Sequence, residues 1–586
     1  MLKMPSGIGL ITTLFGLLTF AQISAGTTQT SFLSNVSVST ELGDIVGFVT
    51  DVGPHFAADI FLGIPYAKPP VGELRLETPE PVEPWSEPLI AHEFSKACFP
   101  HYIGDLSTVD TYGEDCLSVN IFRPHVQFHK PSTGWPVLIY VHGGGFSVGS
   151  SRHYGYDDIS QLFVAQGLIV VTINYRLGFH GFLSTGDEIL PGNLGFWDQT
   201  EALKFIKKHI SAFGGDPENM TVWGLSAGGA SSSALSLSPH SRDLFKNVIS
   251  QSGVVSAVWA QDNAVVNATL ELAGALKCND ENSEKLKQCF KAKTPLEFLK
   301  AANEIGGARR GVNLLKYHPI IDGKFFPKNI LELITEAPPK PAMLGFTDQE
   351  ALYFTILGLS KSINALIPPK PLTEYNREDF VQAVKTIIAP DHQHSEKASE
   401  VQQKIIDFFL SDETPESNHS FYLERYTDLF TELQFAIPIL FEAQARQVAG
   451  SEVYLYFHNY HNRDMYGPDV PLKGSAHANE YPYMFGRHGV IRHFQWNEDD
   501  YKVQRAVVDT IVAFAKTGNP SLPSLTWPKL TSENPLIHLN INPNPVVTNG
   551  LLAQKYSFWQ NLTNEYDFDY LLYKSKNTGE KFHSEL

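Results

Sequence analysis

The chain has 586 residues, of which 43% are apolar, 12% aromatic and 18% charged, a globular composition that excludes a disordered tail. Its 45 basic and 63 acidic residues leave a net charge of −18, and a surface that acidic repels phosphate backbones, which argues against nucleic-acid binding. Four cysteines are too few for a disulfide scaffold, yet they suit an exported protein with two bridges.

In chain order, residues 1–25 set Lys3 before an apolar run from Ile8 to Ala21 and a Ser24-Ala25 pair ahead of Gly26. That is the three-part pattern of a signal peptide. The run falls short of the roughly 20 residues a bilayer span needs, so no transmembrane anchor is expected. Strands are predicted at Leu117–Phe122, Pro136–Val141, Leu168–Asn174, Met220–Gly224, Asn247–Ser250, Ala342–Phe346 and Val453–Phe457. Several are continuously apolar, as strands covered on both faces must be. Asp198–Phe213 starts on an acid and stops at Gly214-Gly215, which predicts a helix. A second helix is expected over Asp500–Lys516, ending before Gly518-Asn519-Pro520. Residues 260–450 read mostly helical. Strand–helix alternation predicts an α/β layered fold, with residues 26–575 as a single domain and 576–586 as a polar tail. The last four residues, His583-Ser584-Glu585-Leu586, resemble the address by which a receptor retrieves proteins to the endoplasmic reticulum. Residence in that lumen is expected, with secretion as the alternative. Sequons at Asn35, Asn219, Asn267, Asn418 and Asn561 agree with that route, Asn219 being doubtful because it lies close to the start of an expected buried strand.

Two stretches fit G-x-S-x-G, and context separates them. Gly145–Gly149 leads into Ser-Ser-Arg-His-Tyr-Gly-Tyr without helical periodicity, so Ser147 reads as a loop serine. Gly224-Leu225-Ser226-Ala227-Gly228 follows a predicted strand and precedes the small-residue run Gly229–Leu237, which is able to start a helix. Strand–turn–helix is what a nucleophile elbow requires, which makes Ser226 the candidate nucleophile. His142-Gly143-Gly144-Gly145 follows its own apolar strand, and glycines let backbone N–H groups face an oxyanion. Such a tetrapeptide is expected by chance only about 0.01 times in a chain of this composition.

A string of segments then carries a resemblance. They are Phe61-Leu-Gly-Ile-Pro-Tyr-Ala-Lys-Pro-Pro-Val-Gly72, Glu114-Asp-Cys-Leu-Ser-Val-Asn120, the glycine loop, Asn174-Tyr-Arg-Leu-Gly178, Gly192-Asn-Leu-Gly-Phe-Trp-Asp-Gln199, Phe213-Gly-Gly-Asp-Pro217, the elbow and Gln251-Ser-Gly253. In this order they resemble the type-B carboxylesterase/cholinesterase family of α/β-hydrolases over essentially the whole mature length. The signal peptide and terminal HSEL are similar to those of its members retained in the endoplasmic reticulum. The resemblance implies an α/β-hydrolase fold: a large, mostly parallel central sheet with helices on both faces and further helical elaborations. It also implies Glu350, in Gly345-Phe-Thr-Asp-Gln-Glu350-Ala351, as the triad acid, with Asp348 the lesser candidate. The base would be His477, in Gly474-Ser-Ala-His477-Ala-Asn-Glu480, and Gly144, Gly145 and Ala227 would supply the oxyanion N–H groups. It pairs Cys98 with Cys116 and Cys278 with Cys289.

The chain departs from the family at two places. Leu225 stands where most members carry Glu before the nucleophile, and the first disulfide loop holds Tyr102 and Tyr112 but no Trp for a quaternary ammonium. The expected activity is hydrolysis of neutral carboxylic esters by a Ser-His-Glu triad through an acyl-enzyme, on a small-molecule ester substrate and without cofactor or metal. A lipase acting on acylglycerols is the alternative, and a non-catalytic cholinesterase-like binding protein a second one. The H-x-H pair His392 and His394, and likewise His458 and His461, read as solvated surface.

Overall fold

The computed structural model describes residues 32–53, 56–101, 111–125, 130–309, 311–358, 366–391, 397–486, 494–566 and 568. The expected signal peptide, the 576–586 tail with its HSEL end, Tyr102, His392 and His394 lie outside the described residues. No helix among the described residues is long and apolar enough to cross a membrane.

All seven predicted strands form, close to their expected bounds except that the one expected over Met220–Gly224 already starts at Gly215. They are β4 (Ser118–Pro124), β5 (Trp135–Val141), β6 (Ile169–Ile173), β7 (Gly215–Leu225), β8 (Asn247–Gln251), β9 (Ala342–Thr347) and β10 (Val453–His458). Five longer-range additions were not read from the sequence: β1 (Phe32–Thr40), β2 (Gly43–Gly53) and β3 (Phe56–Pro65) at one edge, β11 (His538–Ile541) and β12 (Val546–Thr548) at the other. The sheet order is β1-β2-β3-β4-β6-β5-β7-β8-β9-β10-β11-β12, with the short strand Leu89–Ile90 beside β2. From β6 to β11 every neighbour is parallel, while the edge pairs β1–β2, β2–β3, β3–β4, β4–β6 and β11–β12 are antiparallel. The parallel centre is thus flanked by antiparallel margins.

Burial explains the apolar runs. Along β5, Val137, Ile139 and Val141 join one core cluster while Leu138 and Tyr140 join a second, so the period-2 alternation splits a single run between two faces. Helices α1 (Leu194–His209) and α2 (Ala227–Leu237) pack in the first cluster, and α3 (Glu498–Thr517) in the second. Each fully buried aliphatic side chain contributes about 1.5–3 kcal/mol. That is why the uncharged, β-branched runs sit at the centre.

Two helix starts differ from expectation. α1 begins at Leu194, four residues before Asp198, and its last turn tightens to a 3₁₀ turn over Ile210–Phe213 ahead of Gly214 at φ 86°. Asp198 is no cap: it is fully buried and accepts bonds from Arg176 N (3.0 Å), Nε (2.8 Å) and Nη2 (2.6 Å). α3 starts at Glu498 because Asn497 caps it, its side chain meeting Asp500 N while Asp500 answers to Asn497 N. The helix ends where Gly518 turns left-handed at φ 78°.

Candidate active site

Strands β7, β8 and β9 are parallel and adjacent, so the residues following them gather at one sheet edge. That is where open α/β sheets place ligands. Ser226 sits between β7 and α2 at φ 62°, ψ −127°, a conformation costly for a residue with a Cβ. It is partly accessible between buried Leu225 and Ala227. The flanking glycines allow this: a Cβ on Gly224 would stand 2.2 Å from Gly228 O, and one on Gly228 2.0 Å from Val141 O. The turn is held by Ser226 N donating to Gln251 O (2.8 Å) and by Ala230 N donating to Ser226 O (2.9 Å).

The glycine loop lies against this turn. A Cβ on Gly143 would fall 3.1 Å from that of Ser226. Gly144 and Gly145 have φ of 112° and 59°, and Ser147 N and Val148 N both donate to Gly144 O at 3.0 Å. His142 anchors the loop: its Nδ1 donates to Gly143 O (2.9 Å), its carbonyl accepts from Tyr175 Oη (2.9 Å), and its ring stacks on Tyr175 at 4.5 Å. Burial pushes its imidazole down to about 4, so it stays neutral. Ser147 is a nearly buried member of the same turn, its carbonyl accepting from His101 N, and takes no other part.

Glu350 follows β9 and is fully buried. Its Oε1 accepts from Ser252 Oγ (2.6 Å) and Thr347 N (2.8 Å), and its Oε2 meets His477 Nδ1 at 2.5 Å. With Nδ1–H directed at the carboxylate, Nε2 of His477 carries the lone pair. Asp348 faces elsewhere: its Oδ1 accepts from Ser475 N at 2.6 Å, and burial, reinforced by Asp428 and Glu350, pushes its carboxyl up to about 7. Of the two acids left open by pattern, Glu350 is therefore the one that meets the imidazole. Ser252 is a site residue that sequence reading missed, although it lies inside the quoted Gln251-Ser-Gly253 segment. Gln251 holds the elbow and Ser252, the next residue, holds the acid.

Aromatic rings wall the imidazole. Phe435, Phe354 and Tyr353 lie 4.8, 5.4 and 5.9 Å from His477. Phe435 stacks over Phe354 at 5.8 Å and meets Trp259 at 5.8 Å, while Leu315 stands within 3.0 Å of where a Gly145 Cβ would be. Leu225 is fully buried in the second core cluster, so apolar packing occupies the place of the usual carboxylate.

The remaining expectations fall as follows. Cys98–Cys116 and Cys278–Cys289 are the two disulfides. Asn35, Asn267, Asn418 and Asn561 are exposed, whereas Asn219 is half-buried within β7 and donates to Lys516 O. The surface reading of His458 is corrected: the ring is fully buried, with Nδ1 2.7 Å from Ser475 Oγ, because it closes β10 beneath the loop that carries His477. His461 is half-buried. Among the described residues no group of three or more His, Cys, Asp or Glu could hold a metal ion.

An elbow serine, a glycine loop against it and a buried Glu–His pair, all on one edge of a mainly parallel sheet, define the class: a carboxylic ester hydrolase of α/β-hydrolase fold. The sequence model of the carboxylesterase family matches residues 34–559. The chain is 35% identical to gut esterase 1 of Caenorhabditis briggsae, over 91% of this chain and 93% of the relative. It is 31% identical to pyrethroid hydrolase Ces2e of Rattus norvegicus (89% and 88% covered), and 31% identical to acetylcholinesterase of Bungarus fasciatus (89% and 86% covered). The chain belongs to the carboxylesterase family, the type-B carboxylesterase/cholinesterase group.

Proposed function

We propose that the chain hydrolyses neutral carboxylic esters by a Ser226–His477–Glu350 triad through an acyl-enzyme. His477 Nε2 takes the Ser226 proton as Oγ attacks the ester carbonyl, and Glu350 orients the ring and balances the imidazolium. The N–H groups of Gly144, Gly145 and Ala227 receive the oxyanion, each donor of this kind being worth about 3–4 kcal/mol when preorganised. His477 then gives its proton to the departing alkoxide. Water, activated by the same imidazole, releases the acid, and the cycle needs no cofactor.

The observation that carries this reading is the 2.5 Å contact of Glu350 Oε2 with His477 Nδ1, on the sheet edge that also bears the Ser226 elbow. A carboxylate buried this deeply is costly unless it is paired and hydrogen-bonded, and pairing it with an imidazole at the sheet edge is the arrangement general-base catalysis uses. Ser226→Ala is expected to abolish both ester turnover and covalent labelling by an organophosphate. Turnover surviving that change would refute the assignment. The two disulfides and four exposed sequons support an oxidising, glycosylating compartment, and the HSEL end directs the chain to a retrieval receptor of the endoplasmic reticulum. Deletion of 583–586 should release the protein to the medium.

A further inference from the structure

Asp348 and His458 have no part in the triad, yet both reach the same residue, Ser475, two positions before His477. Ser475 is fully buried, and its N–H, its carbonyl and its hydroxyl are all engaged. The N–H donates to Asp348 Oδ1 at 2.6 Å, and the carbonyl accepts from Gln349 N at 3.0 Å. The hydroxyl lies 2.7 Å from His458 Nδ1 and accepts from Asn479 Nδ2 at 3.0 Å. Asp348 and Gln349 directly follow β9, and His458 closes β10, so the serine is gripped from the ends of two adjacent strands. The pairing continues past it. Gln349 and Ala476 form a parallel bridge, and His477 N donates to Glu350 O at 3.3 Å.

Residues 348–350, which carry the acid, and residues 475–477, which carry the base, are thus laced side by side. The base side is under strain: Ala478, next after His477, has φ 64°, a left-handed conformation costly for a residue with a Cβ. Such a conformation persists only where its surroundings impose it. Of the three bonds that the backbone of 475–477 makes to the acid segment, two join backbone to backbone and are open to any side chain. The third depends on what stands at position 348. A residue without an acceptor there leaves a buried N–H unpaired at the foot of the loop, at the full cost of its desolvation. The acceptor need not be charged. Burial, reinforced by Asp428 and Glu350, pushes the Asp348 carboxyl up to about 7, so near neutrality a large share of it is already protonated.

Building on the esterase reading, we propose that Asp348 is a positioning residue for the base: by accepting from Ser475 N it fixes the loop of His477 against the segment of Glu350, and so holds the imidazole where its Nδ1 meets the carboxylate. His458 and Asn479 secure the same serine through its hydroxyl. The bond to Ser475 N, rather than the charge on Asp348, is what the base requires.

The test compares Asp348→Asn, Asp348→Ala and Asp348→Ser with wild type in the full-length protein. Asn keeps an oxygen that can accept from Ser475 N, Ala has none, and Ser places its hydroxyl one bond nearer the backbone while leaving the position polar. Two quantities are read: kcat on p-nitrophenyl butanoate per site labelled by an organophosphate, and the first-order rate of that labelling with reagent in excess. Both report only molecules that have folded. Asp348→Ala and Asp348→Ser are expected to lose about tenfold in each, the worth of one net hydrogen bond, with KM changed less than about threefold. Asp348→Asn should stay within about threefold of wild type. A kcat within about twofold of wild type in the Ala or Ser variant, an Asn variant as impaired as these, or a loss confined to KM overturns the positioning role and leaves the esterase reading intact. Wild-type protein that neither turns the ester over nor takes the label, or turnover that survives Ser226→Ala, overturns the esterase reading itself.

Discussion

Removing the Ser252 hydroxyl tests how the acid is held. Ser252 Oγ is one of three donors on Glu350, at 2.6 Å, and both residues are fully buried, so no solvent replaces it in Ser252→Ala. A hydrogen bond to a charged group contributes about 1.5–3 kcal/mol, and a tenfold rate change corresponds to about 1.4 kcal/mol. Thr347 N at 2.8 Å still holds the same oxygen, so the carboxylate keeps its position while losing part of its stabilisation. In the proposed mechanism Glu350 balances the imidazolium only after proton transfer, so the loss would fall on the transition state rather than on substrate binding. The expected result is a fall of about 10- to 100-fold in kcat on p-nitrophenyl butanoate, with KM changed less than threefold and the far-ultraviolet spectrum retained. A kcat within twofold of wild type would show that the Ser252 bond contributes nothing to the charge on Glu350. A change confined to KM would show that it acts on substrate instead.

Three further outcomes follow from particular contacts. In Gly228→Ala the new Cβ meets Val141 O at 2.0 Å, so backbone must move, and a loss of about 3 kcal/mol or more in stability, read by urea denaturation, is expected together with lost activity. Burial pushes His101, His180 and His458 down to about 3 and His142 to about 4, against about 6.5 in an unfolded chain. Their folded values are depressed, so stability is full above about pH 6.5 and falls as pH drops towards 4, by about 2 kcal/mol per ring at pH 5. A melting temperature that stays flat from pH 7 to 4.5 would contradict this. Glycopeptide mass spectrometry should find sugar on Asn267 and Asn418, whose side chains are exposed, and none on Asn219, which is tied to Lys516 O within a strand.

What could be read in advance follows the physics of each signal. Central strands such as β5 and β6 are buried on both faces and announce themselves as unbroken apolar runs. The margin strand β1 is mostly exposed and carries Ser and Thr among its apolar residues, so its composition matches that of a loop. The elbow was legible because strand, glycines and small-residue helix adjoin in sequence. Glu350 and His477, 127 residues apart, come together only through the order of the parallel strands, and their roles rested on resemblance to a family. Local pattern misled at Asp198, read as a helix start although its charge is taken by Arg176. It misled again at His458, whose burial depends on a loop 17 residues onward.

The bonds from Gln251 and Ser252 have a consequence for how this scaffold diversifies. Ser226 and Glu350 are tethered to consecutive residues at the tip of β8, so the machinery proposed for the reaction is wired into the sheet. The side chains around the imidazole and the glycine loop, Leu315, Tyr353, Phe354 and Phe435, come from connecting segments outside the strands. Appetite for one ester or another can therefore drift by exchange of those segments while the chemistry keeps its tuning. A lineage built this way changes its diet without relearning how to cut.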